Sequence, residues 1–356
     1  MPSQVNYDFS RIMDGLRSYV REAREKKYVN VIEAYDNVTA IEGGKARFLD
    51  GRTVEIYDAS GSVKARASAP NILIATGSRP SVPSIDGLRE SGFLTSDTVW
   101  DLDRLPASFL VIGGGAIGLE IGQALAHLGS EVTVVEAMER LLPQTEPEIG
   151  DAVLKRLEEE GMRFYLKARV MSVSKKGERK AVKVLTHRGG TEEIEVDEVL
   201  VATGRVPNTD ALNLEAAGVK TDRAGYIMTG TDMRTSREGI YAAGDCVSKK
   251  MYLETLAARE GVVAVSNMFG DDMRIDYSST PPWAVFTYPQ VAGVGVTEEE
   301  YSKMAGACSC RVLPPLSQLT KATIMGEGGG MIKIVIDPNS GRIVGGSMRW
   351  HRTPRT

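Results

Sequence analysis

The chain has 356 residues, enough for two or three domains, and its 42% hydrophobic and 25% charged content is that of an ordinary globular protein. Its 43 basic residues face 47 acidic ones, a balance that gives no electrostatic footprint for nucleic acid or an anionic membrane surface. Three cysteines are too few for a disulfide framework, the first residues carry no signal-peptide pattern and no apolar run reaches a membrane span, so a reducing, cytoplasmic setting is expected.

From Asp8 to about Ala34 the pattern is helical. Phe9, Ile12, Met13, Leu16, Tyr19 and Val20 form one apolar stripe, expected to pack. Between Ala46 and Ala75 short strands alternate with turns at Asp50-Gly51 and Ser60-Gly61, and Asn71–Ala75 is a buried strand ending at Gly77. Phe109–Ile112 is the next strand. A helix over Ala116–Leu128 and a strand over Glu131–Glu136 come after it. Thr145 with Glu148 has the pattern of a capping box, and Gly161 ends the helix it would open. Strands and hairpins then run to Val201. Ile240–Ala243 is a further strand, succeeded by a helix over about Leu253–Phe269. Near Ser279 the composition shifts to prolines and then to strand-like runs at Ala284–Thr287 and Met331–Ile336. Alternating strands and helices with glycine-ended strands predict an α/β architecture.

Gly113-Gly114-Gly115-Ala116-Ile117-Gly118 satisfies G-x-G-x-x-G between a strand and a helix, and Glu136 closes the second strand at the required offset. Gly113 permits the tight turn, Gly115 lets backbone approach a pyrophosphate, and Gly118 lets the helix pack on the sheet. The helix N-terminus offers N–H groups and partial positive charge to phosphates. Glu136 can accept both hydroxyls of an adenosine ribose and would repel a 2′-phosphate, which favours NADH over NADPH. Arg140, close by in sequence, weakens that preference.

Four landmarks occur in order: Ala75-Thr-Gly-Ser-Arg-Pro80, the glycine fingerprint with Leu119-Glu120, Ala202-Thr-Gly-Arg205, and Thr235 through Ile240-Tyr-Ala-Ala-Gly-Asp245. Through them the chain resembles the pyridine nucleotide-disulfide oxidoreductases. Val285–Gly295 and Cys310–Pro314 bring it nearest the mercuric reductase branch, with dihydrolipoamide dehydrogenases next.

The resemblance implies Rossmann-like FAD- and NAD(P)-binding domains plus a truncated α+β dimerisation domain. The expected division is a partial FAD-binding domain over 1–104, an NAD(P)-binding domain over 105–230, a second FAD segment over 231–278 and the dimerisation region over 279–356. Thr76, Gly77, Ser78, Gly244, Asp245 and Leu253 would lie by FAD. Asp245 would bond the ribityl chain or diphosphate, or else cap a helix. The helix start near Tyr252–Thr255 would face the flavin's carbonyl edge. Gly204 would lie by the nicotinamide nucleotide. Glu120 would lie near the nicotinamide ring or be an ordinary solvated helix residue.

Members of the family carry a further Gly-rich βαβ unit, a C-x-x-x-x-C pair and a His-Glu dyad, and work as homodimers. The intact protein would pass electrons from NAD(P)H through flavin to Hg(II) or a disulfide. None of those three features is found in this sequence, so it resembles the middle of a longer protein and no catalytic residue is assigned. The alternatives are a dihydrolipoamide dehydrogenase-like protein, a non-catalytic NAD-binding fragment, or a flavin-holding diaphorase. Small molecules or metal ions are the expected substrates. Cys308 and Cys310 form only C-x-C, Cys246 stands alone, and His127, His187 and His351 are scattered, so no resident metal is expected. Glu158–Glu160 and Glu298–Glu300 read as solvated helix faces.

Overall fold

The structure is a computed structural model that describes residues 7–277, 280–305, 309–312, 318, 320–325 and 330–350. Helix α1 (Phe9–Arg24) runs through a π-helical turn at Glu25–Val29 into α2 (Asn30–Glu33). Strands β1 (Lys45–Phe48), β2 (Thr53–Tyr57), β3 (Val63–Ser68), β4 (Ile72–Ile74) and β5 (Ser78–Pro80) are next, then the short helix α3 (Leu88–Ser91). The chain continues with β6 (Ser108–Ile112), α4 (Ala116–Leu128), β7 (Glu131–Val135), α5 (Pro147–Glu159) and β8 (Arg163–Tyr165). After them come β9 (Arg169–Lys176), β10 (Arg179–Leu185), β11 (Thr191–Val196), β12 (Glu198–Val201) and β13 (Arg205–Pro207). Then come α6 (Leu214–Ala217), β14 (Ile240–Ala242) and α7 (Glu254–Met268). The last stretch holds β15 (Trp283–Val285), β16 (Gln290–Gly295), α8 (Glu298–Ala305), β17 (Ser309–Val312), α9 (Thr320–Met325), β18 (Met331–Ile336) and β19 (Ile343–Trp350).

The chain divides into two compact units. One comprises Met1–Arg17, Pro80–Gly204 and Ser279–Thr356, the other Ser18–Arg79 and Arg205–Ser278. They part at Arg17/Ser18, Arg79/Pro80, Gly204/Arg205 and Ser278/Ser279.

The first unit is built on a parallel sheet of order β12-β6-β7-β8. Side chains alternate across a strand, so β6 feeds two cores. Phe109 and Val111 join Val132, Val134, Leu119, Leu125, Ile149 and Leu157, the layer under α4 and α5. Leu110 and Ile112 join Val182, Val184, Val199 and Val201, the layer shared with the antiparallel sheet β11-β10-β9. Truncating Leu119, which is fully buried, to alanine costs about 2–5 kcal/mol. Helix α4 stops at Gly129, whose φ of +117° places its N–H on the carbonyls of Leu125 and Ala126. The antiparallel sheet β15-β16-β19-β18-β17 also belongs to this unit and shares its first core through Val285 and Val291.

In the second unit the Asp50-Gly51 and Ser60-Gly61 turns join the antiparallel strands β1, β2 and β3. Parallel strands β4 and β14 pair in register Ile72↔Ile240. Phe48, Ile74, Leu212, Leu214, Ile227 and Ile240 form one core, and Met233, Tyr241, Leu256 and Val263 another against α7.

Three local readings of the sequence are corrected. Only the start of the α1 stripe is covered: Phe9 and Met13 are buried, while Tyr19 is 69% and Val20 56% exposed. The capping box does not form. Glu146 is the N-cap of α5 and makes no side-chain cap, Pro147 opens the helix, and the Thr145 hydroxyl donates to the carbonyls of Leu142 and Glu146. Glu160 is not solvated, its side chain being 12% exposed, whereas Glu298 keeps a side chain 42% exposed but with a buried partner. Glu160 is bonded to Arg156, Gln123 and His127, and Glu298 pairs with the buried Lys333.

Candidate functional site

The fingerprint loop joins β6 to α4. Gly113 has φ +114°, and a Cβ there would meet the Ala202 carbonyl oxygen at 2.4 Å. A Cβ on Gly118 would meet the Gly113 oxygen at 2.3 Å and Val111 Cγ1 at 3.0 Å, which is how closely α4 approaches β6. At Gly115 an added Cβ meets nothing within 4 Å, so that side of the loop is open. Gly115 is also the N-cap of α4 and supplies no side-chain cap, so the N–H groups of the first helical turn, at Ala116 and Ile117, have no side-chain cap.

Glu136 comes directly after β7 and is 8% exposed. Its Oε2 accepts the Gly114 N–H at 2.6 Å and its Oε1 accepts the Met138 N–H at 2.7 Å. The carboxylate therefore faces the glycine loop, and each oxygen keeps a lone pair for a further donor. The Glu136 backbone bonds Tyr165 and Ala168, which line a cavity of about 570 Å³ with Lys167, His187, Arg188 and Glu192. Lys167 is paired with Glu139 at 2.8 Å, and Arg140 lies 3.7 Å from Glu299.

Glu120, on α4, accepts the Phe286 N–H at 2.8 Å. One turn on, Gln123 holds both backbone groups of Tyr288: its Oε1 accepts the N–H at 2.7 Å and its Nε2 donates to the C=O at 2.6 Å. Nothing in the motif singled out Gln123; only its three-residue spacing from Glu120 put the two on one helix face. Gly204 has φ +104° and open space where a Cβ would stand.

Thr76, Gly77, Ser78, Gly244, Asp245 and Leu253 fall in the second unit, where the C-terminal ends of the parallel strands β4 and β14 lie side by side. In open α/β sheets that end of the strands is where ligands bind. The Ser78 hydroxyl donates to Asp245 Oδ2 at 3.0 Å and accepts from Arg205 Nε at 2.7 Å, while Arg205 Nη2 reaches the Ser78 carbonyl at 2.7 Å. Asn208 donates from its side chain to the Thr76 carbonyl and from its backbone to that of Gly77. Gly77 and Gly244 have φ of +67° and +80°, and the Cβ position at Gly77 is open. Leu253 is the N-cap of α7, extended and without a side-chain cap, so Asp245 does not cap that helix. Cys246 is fully buried with its thiol on the carbonyls of Ile74 and Ala243, and burial pushes its pKa up, against a thiolate role.

Cys308 and His351 lie outside the described residues, and of Cys310 only the backbone on β17 is described. Among the described residues no group of three or more His, Cys, Asp or Glu could hold a metal ion, and no helix is long and apolar enough to cross a membrane.

The open Gly115 face, the uncapped start of α4 and the free lone pairs of Glu136 fit a dinucleotide. The open Gly77 turn beside Asp245 fits a second phosphate-bearing group. A family model described as pyridine nucleotide-disulphide oxidoreductase matches residues 5–261. The chain belongs to this family. Its members depend on FAD and NAD(P)H, and a second model, the family's dimerisation domain, matches residues 281–351.

Among relatives in the family, a mercuric reductase of Lysinibacillus sphaericus is 39% identical over 95% of this chain and 60% of its own length. A dihydrolipoyl dehydrogenase of Thermus scotoductus is 37% identical over 86% of this chain and 68% of its own. The chain thus spans about 60% of the length of the mercuric reductases of L. sphaericus and Staphylococcus aureus. The HOCl-induced flavoprotein disulfide reductase RclA of Escherichia coli superposes with a TM-score of 0.86 at 26% identity, covering 97% of this chain and 76% of that one. LpdA of Mycobacterium tuberculosis gives 0.83 at 27%, covering 98% and 75%. A mixed α/β fold shared with flavoprotein disulfide reductases agrees with the architecture read from the sequence.

Proposed function

We propose that this chain is the nucleotide-handling part of an FAD-dependent NAD(P)H oxidoreductase of mercuric reductase type. Gly113–Gly118, Glu120, Glu136 and Gly204 take the nicotinamide dinucleotide. Thr76, Gly77, Ser78, Gly244, Asp245 and the start of α7 at Leu253 take FAD. Bound there, FAD would accept a hydride from the nicotinamide and pass electrons on. The chain's own contribution is binding and orientation: N–H groups of α4 toward a pyrophosphate, Glu136 toward ribose hydroxyls, and Asp245 toward the flavin's polar chain.

The observation that carries this reading is Glu136, a nearly buried carboxylate bonded to the open glycine loop. It also favours NADH. A 2′-phosphate would meet that carboxylate, and the nearby cations Lys167 and Arg140 already face Glu139 and Glu299. We assign the electron acceptor, Hg(II) or a disulfide, to no residue of this chain, and extend the family's homodimer to it only as part of the proposal.

The test is a visible spectrum of the purified chain after incubation with FAD, before and after NADH or NADPH. A bound flavin band that NADH bleaches faster than NADPH supports the reading. Absence of bound flavin reduces the function to NAD binding. Faster bleaching by NADPH overturns the coenzyme assignment.

A further inference from the structure

The loop after Asp245 and helix α7 enclose a buried ion pair that none of the roles above uses. Lys249 Nζ lies 2.8 and 2.7 Å from the two carboxylate oxygens of Glu260, and the side chains are 3% and 0% exposed. Removing both charges from water is costly, and apolar residues of similar volume often pack as stably, so the pair is weak evidence of a stabilising device.

Two of its other bonds converge on one residue. Glu260 Oε2 accepts the Gly244 N–H at 2.7 Å, and Lys249 Nζ donates to the Gly244 carbonyl at 3.0 Å. The two peptide planes that flank the Gly244 Cα are thus both held, at a residue whose φ of +80° leaves it free to turn otherwise. Tyr277 Oη donates to Glu260 Oε1 at 2.8 Å, and burial together with that bond raises its pKa, so it remains a donor. The residue after Gly244 is Asp245, whose carboxylate is oriented from its other side by Ser78.

We propose that Lys249 and Glu260 are positioning residues for the flavin, a clamp of no net charge on the Gly244 peptides that aims the Asp245 carboxylate. The proposal rests on the FAD reading above. The pair acts through Asp245 and not by contact with the cofactor.

The experiment is a cycle of FAD dissociation constants on the full chain, read by flavin fluorescence, with the melting temperature of each apo variant alongside. Lys249→Met with Glu260→Gln removes both charges, keeps the volume, and leaves one oxygen to accept the Gly244 N–H and an amide N–H to donate to the Tyr277 hydroxyl, which can accept it. Lys249→Met alone keeps Glu260 on the Gly244 N–H but strands its buried charge, so it should lower the melting temperature, and the double replacement carries the test. For the double replacement the expected result is an apo melting temperature close to that of wild type and FAD binding weakened about tenfold or more. In an Asp245→Ala background the same replacements should weaken FAD less than about twofold further, because the group they position is gone. Wild-type FAD affinity in the variants overturns the proposal, and so does a loss of equal size with and without Asp245. A wild-type chain that binds no FAD overturns the flavin reading itself and this proposal with it.

Discussion

Glu136 Oε2 accepts the Gly114 N–H at 2.6 Å, so the carboxylate at the end of β7 is bonded to the middle of the loop at the end of β6. One side chain thus has two tasks, holding the loop and facing a ribose. Glu136→Ala should lower stability by about 1–3 kcal/mol, because the buried Gly114 N–H loses its acceptor. It should also weaken NADH about tenfold while affecting NADPH much less. Titration of both coenzymes, with chemical denaturation of the same variant, separates the two effects.

Gly115 and Gly118 should respond differently to the same methyl group. Gly115→Ala meets open space, so its melting temperature should match wild type while NADH binding falls. Gly118→Ala drives a Cβ to 2.3 Å from the Gly113 oxygen. It should cost about 1–3 kcal/mol in stability and lower NADH binding as well. Equal melting temperatures for the two variants would contradict the closeness of α4 to β6.

Lys333 is 2% exposed in its side chain and reaches Glu146, Glu148 and Glu298 at 2.9, 2.9 and 2.7 Å. Burial disfavours its charge, but the bonds to Glu298, Glu146 and Glu148 prevail and hold its pKa above the ordinary lysine value of 10.5. Lys333→Met should cost about 3–5 kcal/mol at neutral pH by stranding carboxylates. A raised folded-state pKa makes the lysine's contribution fully present below the ordinary value and lost only as pH rises through the raised one. The stability gap between wild type and variant should therefore be flat from pH 7 to about 10 and narrow above it. Denaturation curves across that range check it.

Gln123→Leu should remove two hydrogen bonds from the Tyr288 backbone and cost about 1–3 kcal/mol. Amide exchange at Tyr288 should accelerate well beyond that at Leu119, which sits on the same helix but in the core. Equal protection at the two sites would remove Gln123 from the role given to it.

Much of this molecule could be read from its sequence where the signal is local. The β6–α4–β7 unit results from an apolar strand, a glycine loop and an acid at a set distance, all of which act through neighbouring backbone. The turns at Asp50-Gly51 and Ser60-Gly61 are legible for the same reason. Lys249, Glu260, Gln123 and Lys333 were not singled out, because each matters only through a partner 11 to 187 residues away. The solvated reading failed for Glu160 on the same ground, and for Glu298 it missed the Lys333 partner. A run of glutamates predicts solvent until a distant Gln123 or Lys333 arrives to bond it. Thr145 misled because a capping box is a pattern of types, while Pro147 settled where α5 begins.

Strand β6 has no idle side. Phe109 and Val111 are committed to one core, Leu110 and Ile112 to the other. A single inserted residue would exchange the contents of both layers at once and deliver Gly113 one peptide late. The strand thus works as a fixed-length ruler. The loop at its end can be retuned by substitutions beyond Ile112, but not by lengthening or shortening the strand that leads into it.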